Sequence, residues 1–145
     1  MTVEDLDAQF IEYERISNQV EELQQQQEDI LSGLLEKSKD SIEWYHKKNL
    51  IFTHPSIQLH TSRGPILGFN ETDYDLMVYD VKSGILKINL RNKEEVHTTI
   101  SHIVEEGYFP TAMDGLLYLK SMLGHYLDEV KGLNSELESQ LSKYG

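Results

Sequence analysis

A seven-residue repeat runs through residues 6–37, LDAQFIEYERISNQVEELQQQQEDILSGLLEK. Apolar side chains return at alternating intervals of three and four residues, as they do on the buried stripe of a coiled-coil helix. The a positions are Leu6, Tyr13, Val20, Gln27 and Leu34, and the d positions are Ile16, Leu23 and Ile30. No proline occurs before Pro55, so the repeat predicts one long helix within residues 1–48, a helical oligomerisation segment.

This helix is too long for a single domain of the chain's size to bury its apolar stripe. At 1.5 Å per residue it extends about 65 Å, which exceeds the width of a domain built from 145 residues. Part of the helix must therefore project or pair with another helix. Phe10 and Leu31 at e positions widen the stripe, which favours a bundle of more than two helices over a two-stranded zipper.

The middle of the chain, residues 49–109, changes from helical to strand periodicity. Five short runs rich in β-branched and aromatic residues are separated by turn sequences: Leu50–His54, Ile57–Ser62, Pro65–Phe69, Tyr74–Val81 and Ile85–Arg91. Their hairpin spacing predicts an antiparallel β-meander of three to five strands with one buried face. Alternation divides the last run into a core-facing set and a solvent-facing set: Leu86, Ile88 and Leu90 against Lys87, Asn89 and Arg91.

Two helices are expected after the meander. Asn92 and Glu95 match the N-cap and third position of a capping box, which predicts a short helix over 93–106 that stops at Gly107. Pro110 suits a first helical position, and a second heptad pattern predicts a long helix over 110–143. The apolar positions of that pattern are Leu116, Leu119, Leu123, Tyr126, Val130, Leu133 and Leu137.

The C-terminal segment, residues 110–145, is expected to pack on the sheet, on the N-terminal helix or on both. Gly115, Gly124 and Gly132 lie inside its helix and each costs about 1 kcal/mol relative to alanine, so either another element approaches closely there or the helix bends. The predicted fold class is therefore α+β: a long N-terminal coiled-coil-like helix, an antiparallel meander, a short helix and a long C-terminal heptad helix.

This order of elements resembles two groups of proteins. Prefoldin subunits are similar in placing β-hairpins between two long coiled-coil helices, although the short helix at 93–106 is an addition to that plan. Kinetochore proteins that join a coiled coil to an RWD-like domain are similar over roughly residues 50–130, where Tyr108, Phe109 and Pro110 open the final helix after a meander and a helix. Both resemblances imply a homodimeric or heterodimeric adaptor.

Charge is distributed unevenly along the chain. The net charge is −12, from 25 acidic and 13 basic side chains. Residues 1–36 contain ten acids and one base, whereas residues 37–63 contain two acids and five bases. A duplex-binding domain would cluster lysine and arginine to neutralise phosphates, so this distribution argues against duplex nucleic acid as a partner.

Several classes of function lack their sequence signatures. The chain has no cysteine, which removes disulfide scaffolds, thiol nucleophiles and cysteine-ligated metals and favours the cytoplasm. Residues 1–5 lack the basic and apolar regions of a signal peptide, and no apolar run approaches the length that spans a membrane, so we expect neither secretion nor membrane insertion. Nucleophile-elbow and phosphate-loop motifs are missing. His97 and His102 are five residues apart, whereas two histidines that bind one metal ion from a helix are four apart, so we expect no metal site. Because the catalytic and phosphate-binding motifs are missing as well, we expect no cofactor and no enzymatic activity.

One basic and aromatic patch stands out at the end of the N-terminal helix. It comprises Trp44, Tyr45, His46, Lys47 and Lys48, together with Arg63. Interfaces are rich in aromatic residues and arginine, so the patch is a candidate partner-binding surface. A structural explanation also exists, because positive charge at a helix C-terminus is favourable against the helix dipole.

Three functional hypotheses follow from these observations. The first is a non-enzymatic scaffold or adaptor that self-associates through its heptads, as a homodimer or a higher oligomer, and presents the α+β module to an unknown protein partner. Its oligomerisation residues would be Leu6, Tyr13, Ile16, Val20, Leu23, Ile30, Leu34, Leu119, Leu123, Tyr126, Val130, Leu133 and Leu137. The second is an acidic inhibitor of a host enzyme or DNA-binding protein, such as a phage or mobile-element antagonist that mimics DNA. The third is a small-ligand-binding protein or enzyme.

Overall fold

A computed structural model describes residues 2–145, and Met1, the first residue of the predicted helical segment, lies outside the described residues. The long N-terminal helix is confirmed as α1, Val3–Lys47. Thr2 and Asp5 form a capping box: the Thr2 hydroxyl accepts from the Asp5 N–H at 3.2 Å, and the Asp5 carboxylate accepts from the Thr2 N–H at 3.2 Å. The helix ends before Asn49, which takes a left-handed φ of 56°.

A four-stranded antiparallel sheet follows α1 and confirms the predicted meander. Its strands lie in sequence order: β1 Ile66–Asn70, β2 Asp75–Asp80, β3 Gly84–Asn89 and β4 Glu95–His97. Residues 50–62, which contain two of the five candidate runs, pair only through the single bridge of Phe52 with Thr61. Pro55 and the bend at Ser56 interrupt the extended backbone there, so these two runs do not join the sheet, whose four strands agree with the predicted three to five.

Both faces of the sheet are covered, whereas one buried face was predicted. Met77 and Leu67 point into the main core with the helices. On the other face, Leu76, Val78 and Leu86 form a second cluster that is covered by the non-strand segment around Ile57 and Leu59. The displaced segment thus packs on the sheet instead of extending it.

Strand β3 has the predicted alternation. Leu86 is buried opposite Val78, and Ile88 pairs with Leu76 on the same face. Leu90 packs against this cluster too. Arg91 is exposed as predicted, while Lys87 and Asn89 are half-buried because the opposite face of the sheet also carries neighbours.

The segment after β3 departs from the prediction of a helix over 93–106. The Asn89 side-chain oxygen accepts hydrogen bonds from the N–H groups of Arg91 and Asn92, both at 3.0 Å, and closes a turn into β4. Glu95 therefore pairs in the sheet and does not reach back to cap a helix. Helix α2, Ile100–Glu105, starts later, where the Thr99 hydroxyl accepts from the His102 N–H at 3.1 Å.

The C-terminal heptad helix is divided into α3, Phe109–Leu117, and α4, Leu119–Tyr144, with Tyr118 between them. Gly115 lies against β1, where an added Cβ would come within 2.0 Å of the Ile66 carbonyl oxygen. A close approach therefore explains this glycine. The space beside Gly124 and Gly132 is open, so neither is required by packing within the chain.

A single main core joins parts of all the long elements. It takes Leu31, Leu35, Ile42 and Tyr45 from α1, with buried residues of β1, β2, α2, α3 and the first turn of α4. The first 28 residues of α1 and almost all of α4 lie outside it. The molecule is thus a small α+β module with two extended helical arms.

Candidate interaction surface

The first arm, residues 3–30 of α1 and hereafter the α1 arm, exposes the predicted heptad stripe. Tyr13 is 72% exposed, Leu23 59% and Ile30 53%. The other apolar members of the stripe are exposed as well: Leu6, Phe10, Ile16 and Val20. A row of large apolar side chains in water at regular spacing is a candidate interaction surface.

The second arm, residues 123–144 and hereafter the α4 arm, has a similar stripe. Leu123 and Val130 are exposed, the latter by 62%, and so are Leu127, Leu133, Leu137 and Leu141. Because both stripes are open to solvent, the two heptad helices do not cover each other within one chain. The sequence leaves open whether the two heptad helices pair within one chain, and in this structure they do not.

Three of the predicted oligomerisation residues contact the module and do not belong to the exposed stripes. Leu119 is buried in the main core and Leu34 packs against that core. The Tyr126 hydroxyl donates to the Ile51 carbonyl oxygen at 2.7 Å and accepts from the Ile51 N–H at 3.1 Å. These residues hold α1 and α4 on the module, a task that the heptad spacing does not distinguish from oligomerisation.

The predicted basic and aromatic patch is not assembled as a unit. Tyr45 is buried, and its hydroxyl donates to the Leu119 carbonyl oxygen. Burial, with a smaller effect of the nearby Tyr126, raises the pKa of Tyr45. Tyr45 is therefore a core residue that joins the end of α1 to the start of α4.

Arg63 is engaged on the sheet side of the module. Its Nε donates to Asp80 Oδ2 at 2.7 Å, and a terminal guanidinium nitrogen donates to Glu95 Oε1 at 2.8 Å. These hydrogen bonds, that of Glu95 first, raise the pKa of Arg63 above its usual range. Arg63 holds β4 to the loop before β1, so its charge is compensated and it does not contribute to a basic patch.

Trp44 remains at a surface groove, with Lys47 and Lys48 exposed nearby in sequence and His46 half-buried. Trp44 is 44% exposed. The groove has a volume of about 630 Å³ and runs between the end of α1 and the α3–α4 junction. We call it the α1–α4 groove. One wall includes Lys37, Ser41 and Trp44, and the other includes Leu117, Lys120 and Leu123.

The groove and the α1 arm differ in the sign of their net charge. Residues 3–30 contain nine acids and one arginine, a net charge of −8. Residues 37–48 contain four lysines and two acids, a net charge of +2, and Lys120 adds a further positive charge on the α4 wall. The two ends of α1 are therefore complementary in charge.

The histidines do not form a metal site in the part of the chain that the structure describes, where no group of three possible ligands comes together. His54 is buried, donates from Nε2 to the Thr111 carbonyl oxygen at 2.8 Å and accepts from the Ser56 N–H at Nδ1. Both ring nitrogens are occupied, so His54 has a structural role. Within residues 2–145, no helix combines the length and apolar character needed to cross a membrane.

Comparison with models of known protein families, with characterised proteins and with solved structures finds no match to this chain.

The groove was missed from the sequence, although a signal for it exists. Counting the heptad register past Leu34 gives Lys37 at d, Ser41 at a and Trp44 at d. Lys37 and Ser41 are polar, so the sequence pattern does not show that the heptad repeat continues to Trp44. Leu117 and Lys120, on the opposite wall, could not be placed there without knowledge of the break at Tyr118.

Proposed function

We propose that this protein is a non-enzymatic scaffold or adaptor that self-associates through its helical arms and presents the α+β module to a partner protein. The single observation that carries the proposal is the exposed heptad stripe of the α1 arm. No cofactor is part of the proposal, and the absence of cysteine favours work in the reducing cytoplasm.

The physical argument concerns the cost of leaving this stripe in water. Full burial of one large aliphatic or aromatic side chain stabilises by about 1.5–3 kcal/mol. Seven such side chains between Leu6 and Ile30 are exposed on one flank of a single helix: Leu6, Phe10, Tyr13, Ile16, Val20, Leu23 and Ile30. Isolated helices are only marginally stable in water, and most of the stability of a helix in a protein comes from packing of its apolar face, so the α1 arm gains stability from a partner helix.

Self-association is favoured over a passive spacer role by the arrangement of these residues. The stripe keeps the three-four spacing of a coiled-coil seam, while Glu12, Glu14 and Glu21 remain exposed outside the a and d positions. A solvent-bridging helix would be polar on all sides. The module packed on residues 31–45 is then held at a defined distance from the far end of the assembly.

The test replaces two seam residues and compares them with a residue outside the seam. Leu23→Asp combined with Ile30→Asp places two charges in the desolvated interface, and light scattering should report the mass of a monomer. Ile11 is 71% exposed at an f position, so Ile11→Asp is the matched control and should keep the mass of the wild type. Equal masses for the wild type and both variants would remove the proposal.

A second candidate, the acidic inhibitor, is favoured by the charge of the α1 arm. Eight of its nine acids are exposed: Glu4, Asp5, Asp7, Glu12, Glu14, Glu21, Glu22 and Asp29. If these acids imitate a nucleic acid, the protein should compete with duplex DNA for a nonspecific nuclease, and added salt should abolish the competition. Undiminished nuclease activity at low salt would reject this candidate.

A further inference from the structure

The α1–α4 groove lies on the continuation of the α1 arm's seam. Successive d positions run from Ile16 through Leu23 and Ile30 to Lys37 and Trp44. The last two line the groove. In a left-handed supercoil, a second helix that follows the seam stays in contact with a and d positions along its whole length. Such a helix leaves the arm and enters the groove.

Charge decides the direction in which a second α1 would run. Residues 3–14 contain five acids and no base, whereas residues 37–48 have a net charge of +2. A parallel pair places the acidic ends together and the basic ends together. An antiparallel pair places each acidic end against a basic end, with Lys37 and Lys120 on the groove walls, and complementary charge of this kind selects orientation.

We propose that the α1–α4 groove receives the N-terminal turns of α1 from a second copy of this chain, in an antiparallel pair of α1 helices. This inference rests on the proposed self-association of α1 and adds its direction and its docking site. Full overlap of two Val3–Lys47 helices pairs residues whose numbers add to 50. That register sets a positions against d positions, with Leu6 opposite Trp44 and Val20 opposite Ile30.

The α4 wall accounts for the width of the stripe at its N-terminal end. Phe10 occupies an e position and is exposed, beyond the reach of a two-helix seam. In the proposed register it lies opposite Asp40, which also lines the groove. The exposed side chains of Leu117 and Leu123 then give Phe10 apolar neighbours on a third helix. This agrees with the expectation of more than two helices.

The cysteine-free chain allows a direct test by disulfide trapping. Leu6→Cys and Trp44→Cys are prepared separately, mixed and oxidised. The antiparallel pair predicts a cross-linked dimer in the mixture and none with either variant alone. Ile11→Cys, mixed with Trp44→Cys, is the matched control at an outward position and should not cross-link.

The outcomes separate this inference from the proposed function. Cross-linking of Leu6→Cys with itself would show a parallel pair and overturn the inference while self-association stands. A dimeric mass without any cross-link would place the interface elsewhere and overturn it equally. A monomeric mass for the wild type would remove both proposals.

Charge exchange provides a second measurement on exposed residues whose substitution leaves the core intact. Lys37→Glu combined with Lys120→Glu should weaken self-association by about tenfold or more. Glu12→Lys combined with Glu14→Lys should do the same, because these exposed acids flank Tyr13, which lies opposite Lys37 in the proposed register. Mixing the two variants should restore dimerisation, because each groove then meets an N-terminus of opposite charge. Failure of the mixture to recover would overturn the antiparallel arrangement.

Discussion

Residues 3–30 and residues 31–45 belong to one uninterrupted helix and share a similar apolar spacing, but their surroundings differ. In the second part, Leu31, Leu35 and Ile42 are buried by the sheet and by α2 and α3. In the first part, Tyr13 and Leu23 remain in water. Apolar periodicity in the sequence therefore predicts a helix and the position of its apolar face. Which part of that face is buried within the molecule depends on where the sheet and the other helices pack.

The largest expected effect comes from truncating an isoleucine on each side of this boundary. Ile42 is fully buried, so Ile42→Ala should lower the free energy of unfolding by about 2–5 kcal/mol at every protein concentration. Ile30→Ala should act through self-association, so its effect on the melting temperature should depend on protein concentration. Thermal denaturation over a range of concentrations distinguishes the two. A concentration-independent loss for Ile30→Ala would break the comparison.

Glycines in the module and in the α4 arm should respond in opposite directions. Gly115→Ala forces a Cβ against the Ile66 carbonyl oxygen and should destabilise by about 1–3 kcal/mol. Gly124 has open space, so Gly124→Ala should stabilise its helix by up to about 1 kcal/mol. Circular dichroism during heating measures both changes. Equal destabilisation by the two variants would mean that the α4 arm is packed as tightly as α3.

A smaller effect is expected at the buried carboxylate of the module. Asp80 accepts from Arg63 Nε at 2.7 Å and from the N–H groups of Lys82 at 2.8 Å and Ser83 at 3.0 Å. Burial raises the pKa of Asp80, but these hydrogen bonds outweigh it and lower the pKa overall. Asp80→Asn should cost about 1–2 kcal/mol at neutral pH, because a donor then faces Arg63.

The sign of this pH dependence follows from the lowered pKa. The stability contributed by Asp80 is fully present above the pKa of an unfolded aspartate, about 3.9, and is lost as the pH falls through the lower folded pKa. Urea unfolding should therefore show the wild type and Asp80→Asn converging in acid. Asp128→Asn in the α4 arm is the exposed control and should follow the wild type at neutral pH. A constant gap at all pH values would contradict the assignment.

The sequence predicted the elements whose signal is local and periodic. The repeat from Leu6 to Leu34 established α1, and alternation from Leu86 to Leu90 established β3. Predictions that depended on competition between neighbouring elements were wrong. The capping pattern of Asn92 and Glu95 yielded to a turn closed by Asn89, since β3 offers a pairing edge that a local motif does not register.

Only the part of the candidate surface that depends on local spacing was predicted from the sequence. The exposed heptad residues of the α1 arm lie in the predicted helix and at the predicted spacing. Tyr45 and Arg63 were assigned to a binding patch because they are aromatic or basic and close in sequence to Trp44. Their tertiary partners, the Leu119 carbonyl oxygen and the carboxylates of Asp80 and Glu95, come from distant segments and remove them from that patch.

Sedimentation equilibrium of the wild-type protein tests the central claim most directly, because the exposed stripe of the α1 arm is proposed as an interface between copies. Across the micromolar range, we expect the fitted mass to rise above the 16.8 kDa of one chain toward at least twice that value, and the midpoint of the rise gives the dissociation constant. A single species of 16.8 kDa at the highest concentration would contradict the account, since the stripe would then remain in water without a second copy.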